Sequence, residues 1–106
     1  MSTEQTLTLT GKSGTKYNFV IYKIGTTFNA VGAVYLFSKE KDSTHMHVYL
    51  GITGDLSERF DNHHKAKCIL NNGATHICIH REDSKTTREI IEKDILEAIS
   101  TKCNEI

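Results

Sequence analysis

The sequence predicts an α+β domain: a small central antiparallel β-sheet, made of three main strands plus an N-terminal β-hairpin as an added edge or a partner surface, flanked by helices. Three observations predict it. Short runs rich in β-branched and aromatic residues, at 32–37, 48–52 and 75–80, are separated by glycine and polar turn residues. Residues 84–102 carry one long repeat of helical period. Two more alternating runs, at 7–9 and 17–22, flank the turn sequence GKSG at 11–14.

The 106 residues read as a single domain, with 1–24 as a hairpin extension and 30–104 as the core. A hydrophobic content of 38% and 25% charged residues are ordinary for a soluble globular chain. No apolar run approaches the length of a membrane span and no secretory h-region is visible, so a cytoplasmic location is expected. Cys68, Cys78 and Cys103 show no C-x-x-C spacing and are expected to be reduced, partly buried thiols rather than a disulfide or a zinc site. Thirteen basic and thirteen acidic side chains cancel. Neutrality argues against tight autonomous DNA binding, which draws on phosphate neutralisation, but allows a local basic groove to which Lys65, Lys67 and Arg81 contribute.

Taken in order, Leu7 and Leu9 alternate with threonines, and Tyr17, Phe19 and Ile21 alternate with Asn18, Val20 and Tyr22, which predicts the hairpin. GKSG is not a phosphate-binding loop, because the earlier glycine and the following helix are missing. Residues 23–31 form a connection, and 32–37 a strand. Residues 38–46 are polar and predicted as a turn leading into the strand at 48–52, so these two strands form an antiparallel hairpin. Tyr35 alternates against Val34 and Leu36, and Tyr49 against Val48 and Leu50; in an even register the two phenols share one face. Two half-buried tyrosines packing a small sheet would give the same pattern.

Gly51 and Gly54 punctuate the turn after the Tyr49 strand, and Asp55 with Glu58 is spaced as a capping box, which predicts a helix from Leu56. On it Leu56, Arg59, Phe60 and His63 share one stripe. Leu56 and Phe60 turn the stripe inward and draw Arg59 and His63 to the rim of a packed surface. Taken alone, the stripe is better read as a snorkelling arginine and a helix-capping histidine. Residues 64–70 predict a second short helix closed by Asn71, Asn72 and Gly73. In the third strand Ile77 and Ile79 face one way, and His76, Cys78 and His80 the other, with the histidines at a rim. Nothing in the spacing of His45, His47, His76 and His80 specifies a metal site.

Ser84 is the N-cap of the helix predicted over 84–102. Ile91, Ile95, Ala98 and Lys102 lie on one line, with Glu92, Leu96, Ile99 and Cys103 on the next. Glu92 therefore falls on the inward face, where a carboxylate is costly unless a cation or hydrogen bonds meet it. Glu89, Lys93 and Glu97 fall on the solvated face.

Tyr35, Tyr49, Arg59, His63 and Glu92 are chemically matched to phosphodiester hydrolysis. A carboxylate holds a divalent metal. An arginine fits a phosphate bidentately. A tyrosine or histidine orients or deprotonates the attacking water. Over residues 30–104 the chain resembles the GIY-YIG endonuclease superfamily, which includes the N-terminal nuclease domain of a bacterial excision-repair excinuclease. The first motif appears as Ala33, Val34 and Tyr35, with Gly32 one place early. The second appears as Tyr49, Leu50 and Gly51. Arg59 stands ten residues after the second tyrosine, His63 one turn on, and Glu92 twelve residues before Asn104. The resemblance implies a GIY-YIG-like fold and a metal-dependent endonuclease that hydrolyses DNA, structure-specific or repair-related. In it Tyr35 would be general base or water-positioning group, supported by Tyr49 and His63. Arg59 would contact the phosphate, Glu92 would bind one Mg²⁺ or Mn²⁺, and Gly51 and Asn104 would brace the site. The alternative is a catalytically weak or inactive module of the same fold that binds DNA or a protein partner through the N-terminal hairpin. A small α/β domain with coincidental matches ranks last.

Overall fold

The structure, a computed structural model, describes residues 5–58 and 65–104. Five strands, β1 (Thr6–Thr10), β2 (Lys16–Lys23), β3 (Ala33–Lys41), β4 (Thr44–Thr53) and β5 (His76–Arg81), form one antiparallel sheet in the order β1-β2-β5-β3-β4. Two helices accompany it, α1 (Ala66–Asn71) and α2 (Lys85–Leu96). No described helix is long and apolar enough to cross a membrane.

The α+β class holds, and the three main strands and the N-terminal hairpin form one antiparallel sheet. The N-terminal hairpin is the added edge of this sheet: β2 pairs with β5 from Val20↔Ile79 to Lys23↔His76, which makes β1 and β2 one end of a continuous sheet. Phe19 is fully buried and packs with Val34, Leu36, Leu50, Cys78, Ile91 and Ile95 on the face covered by α2. On the other face Tyr35, Phe37, Tyr49, Ile77 and Ile79 pack with Leu56, Ile69 and Cys103. Alternation along each strand thus serves two cores, one on each side of the sheet.

Residues 38–46 are not a loop. β3 and β4 run through them to a two-residue turn at Asp42 and Ser43, whose φ of 53° and 67° are the left-handed values that a tight hairpin needs. One extra residue, Val48, lies between the pairs Phe37↔Tyr49 and Ser38↔His47, and the bulge turns Val48 onto the Tyr49 side. Asp55–Glu58 form a turn in which the Asp55 carboxylate accepts from Ser57 N at 2.8 Å and Leu56 N donates to Val31 O at 2.9 Å. The remainder of the helix predicted from Leu56 lies outside the described residues.

Ser84 caps α2 as expected, accepting from Thr87 N at 3.3 Å. The helix ends at Leu96 instead of Lys102, where Ala98 N donates to Ile95 O at 2.9 Å and tightens the last turn. Beyond it the chain is drawn along the edge strand β4. Cys103 N donates to Val48 O at 2.8 Å, and the Asn104 side chain both accepts from Leu50 N at 2.8 Å and donates to Leu50 O at 2.9 Å. An amide side chain here substitutes for a sixth strand and covers an otherwise open edge.

The cysteine expectation is overturned for two of three. Cys68 on α1 and Cys103 in the C-terminal segment form a disulfide, with Cα atoms 5.9 Å apart. They are 35 residues apart in sequence, and only the packing of α1 beside the segment that follows α2 makes them neighbours. Cys78 is a free, buried thiol.

Candidate active site

Tyr35 lies opposite Gly51, and Tyr49 opposite Phe37, so the register puts both phenols on one face of adjacent strands. Their ring centroids are 6.2 Å apart. The rings crowd over the glycine: a Cβ on Gly51 would stand 2.6 Å from the Tyr35 hydroxyl oxygen and 2.8 Å from Tyr49 Cε2. Gly51 is therefore required by close approach and not by an unusual backbone angle. Asn104 bonds both polar groups of Leu50, the residue between Tyr49 and Gly51, and Thr101 Oγ1 donates to the same Asn104 Oδ1.

Glu92, on α2, influences this pair through its charge. It is half-buried; burial first and then the neighbouring Glu89 charge push its carboxyl above the ordinary value. Its own charge in turn raises the pKa of both Tyr35 and Tyr49, so all three belong to one electrostatic neighbourhood. For Tyr35 the largest cause is burial, followed by Tyr49 and then Glu92, and all three push its hydroxyl well above 10.0. Arg59 and His63 lie outside the described residues, as does the helix expected to carry them.

Two residues of this region escape the sequence reasoning. Arg88 stands one turn before Glu92 and is only 8% exposed. Its Nη1 donates to Glu82 O at 3.0 Å and to Asp83 O at 2.9 Å, while its Nε finds no partner among the described residues. The guanidinium fills the gap between the ends of the two tyrosine strands: a Cβ on Gly32 would collide with Nη1, and one on Gly54 would lie 3.5 Å from Nη2. A signal for it exists in the sequence, because Arg88 continues the inward line of Ile91 and Ile95 and two glycines mark the strand ends. Asp94 is the second. It accepts from Ser13 N at 2.9 Å, Ser13 Oγ at 2.7 Å and Tyr17 Oη at 2.7 Å, and so ties α2 to the β1–β2 turn.

Among the described residues no group of three or more His, Cys, Asp or Glu side chains could enclose a metal ion. His45 and His76 stack edge to face at 5.3 Å, but they pair with Ser38 (2.8 Å) and Thr75 (2.7 Å) respectively. Among the described residues, a cation at Glu92 would meet one protein carboxylate, with water and substrate oxygens in its shell. That is the usual habit of Mg²⁺ at phosphates, and a half-buried carboxylate fits it. Comparison of the chain with protein-family models, with curated proteins and with solved structures finds no match. The GIY-YIG resemblance thus rests on this chain's own residues.

Proposed function

We propose that this protein is a metal-dependent endonuclease of GIY-YIG type that hydrolyses phosphodiester bonds in DNA, with structure-specific or repair-related DNA as its substrate class. The observation that carries the reading is the pairing of Tyr35 and Tyr49, two phenols side by side over a glycine, whose hydroxyls both feel the charge of the half-buried Glu92 carboxylate.

The roles follow from the electrostatics. Bound at Glu92, Mg²⁺ or Mn²⁺ would polarise the scissile phosphate and stabilise the leaving oxygen. A positive charge there offsets the carboxylate's influence on the tyrosines but not their burial, which is the larger cause of the Tyr35 shift. Tyr35 therefore acts as a phenol that orients the attacking water or donates to a phosphate oxygen, in preference to acting as the general base. Tyr49, with its hydroxyl also raised by burial and Glu92, plays the same donor part. Arg59 and His63 are assigned phosphate contact and proton transfer from their sequence positions.

The test is incubation of the full chain with branched, nicked and plasmid DNA in Mg²⁺ and Mn²⁺. Cleavage is expected, and it should be lost in Glu92→Gln and Arg59→Ala. Cleavage that persists in both variants overturns the site. The net charge of zero favours one second reading, a binding module of the same fold that acts beside a protein partner supplying DNA targeting. It predicts retention of DNA, or of that partner, without cleavage.

A further inference from the structure

We infer that the Cys68–Cys103 disulfide is a redox-controlled clamp on the tyrosine strand β4, set by exchange with a low-molecular-weight thiol or dithiol. Three observations carry it. The disulfide joins α1 to the segment 101–104, and that segment covers β4 at Val48 and Leu50, the residues on either side of Tyr49. Among the described residues, α1 is six residues long, has no side-chain N-cap hydrogen bond, and buries only Ile69. A helix this short does not persist without tertiary anchorage. The Asn72 amide donates to Cys68 O at 2.9 Å and lies 3.5 Å from Cys68 Sγ and 3.6 Å from Cys103 Sγ, so the turn that closes α1 is organised on the bond itself.

The two sulfurs are unequal. Cys103 is fully buried and Cys68 partly exposed, so a reductant meets Cys68 first. A thiolate of the dithiol attacks Cys68 Sγ, the S–S bond breaks, and a mixed disulfide forms while Cys103 leaves as a thiolate and takes a proton. The second sulfur of the reductant then closes its own disulfide and releases Cys68 as a thiol. Two electrons and two protons pass to the protein, and the reductant is oxidised by the same amount. With the bond broken, α1 and segment 101–104 are no longer tied together, and the hydrogen bonds that hold Leu50 depend on segment 101–104 alone. The consequence for DNA cleavage rests on the endonuclease reading; the consequence for β4 does not.

Hydrogen–deuterium exchange of the full chain, oxidised and in dithiothreitol, tests the clamp without DNA or metal. Reduction is expected to add two hydrogens to the intact mass. It should speed exchange at 47–53 and 66–71 by roughly tenfold or more, leave 6–23 unchanged, and reverse on adding oxidised glutathione. Cys68→Ser should reproduce the reduced pattern and ignore dithiothreitol. Equal exchange in the two states of the wild-type chain overturns the clamp, as does an increase spread evenly over the sheet, or an air-oxidised chain with two free thiols at 68 and 103. An inactive protein that shows the redox response refutes only the endonuclease reading. An active one that lacks the response refutes only the clamp.

Discussion

Tyr35 and Gly51 face each other across β3 and β4, and the phenol of the first occupies the space that a side chain on the second would need. An added methyl at Gly51 would meet the Tyr35 hydroxyl at 2.6 Å and its Cζ at 2.7 Å. Gly51→Ala is therefore expected to lower stability by about 1–3 kcal/mol, the usual cost of overpacking, and to displace Tyr35. Urea unfolding should show a lower midpoint at an unchanged slope. An unaltered midpoint would mean that the two tyrosines are not seated over the glycine.

Glu92→Gln separates chemistry from stability. The carboxyl is held above its ordinary value of 4.5 mainly by burial, so its charged form is disfavoured in the fold. Replacing it with a neutral isostere should leave stability unchanged or raise it by at most about 1 kcal/mol, given its half-exposed setting. Cleavage and Mg²⁺ binding, read by calorimetry, should both be lost. A large destabilisation would assign Glu92 a structural part instead.

The pH dependence carries two opposite signs. His47 is pushed below 6.5 by burial and by the neighbouring His45, so the unfolded chain binds more protons there than the folded one. Its contribution to stability is full above 6.5 and is lost as pH falls toward the lowered value. Glu40, 3.8 Å from His45 Nε2, and His76, against the His45 ring, face the same cluster. Glu92, raised above 4.5, works the other way: stability falls as pH rises from 4.5 to the raised value. Unfolding free energies measured across this range should show both slopes in wild type, with His47→Gln losing the first and Glu92→Gln the second. A wild-type profile unchanged in either variant would refute that assignment.

Arg88 is held by two backbone carbonyls and buries, beside the ends of β3 and β4, an Nε that has no partner among the described residues. Arg88→Ala should cost about 2–4 kcal/mol, through lost packing and two carbonyls left without their donor. Arg88→Met keeps the stem and deletes the buried Nε donor, so it should cost less than the alanine variant. Equal losses in a thermal or urea scan would show that packing contributes nothing here.

Much of the fold is legible locally. The alternation of Tyr35 against Val34 and Leu36 places the phenol on the opposite face, and the even register across to Tyr49 does the rest. Ser84 announces α2, and Gly73, at a φ of 74°, closes the turn after α1. The polar run at 38–46 reads as a loop because only one of its sides meets the protein. A strand at the exposed end of a hairpin has no apolar alternation to display, and Asp42 and Ser43 are not the glycine-bearing pair that signals a two-residue turn.

What the sequence alone determined is whatever depends on spacings of two to four residues: the apolar parts of the strands, the start of the long helix and the shared face of two tyrosines. Only the tertiary structure decided that β2 joins β5, that Cys68 meets Cys103, that Arg88 lodges under Gly32 and Gly54, and that Asn104 closes the edge at Leu50. Periodicity is a property of a chain segment and can be read without a partner. Pairing, crosslinking and the satisfaction of a buried donor belong to two surfaces at once, and which surfaces meet is settled by the packing of the whole molecule.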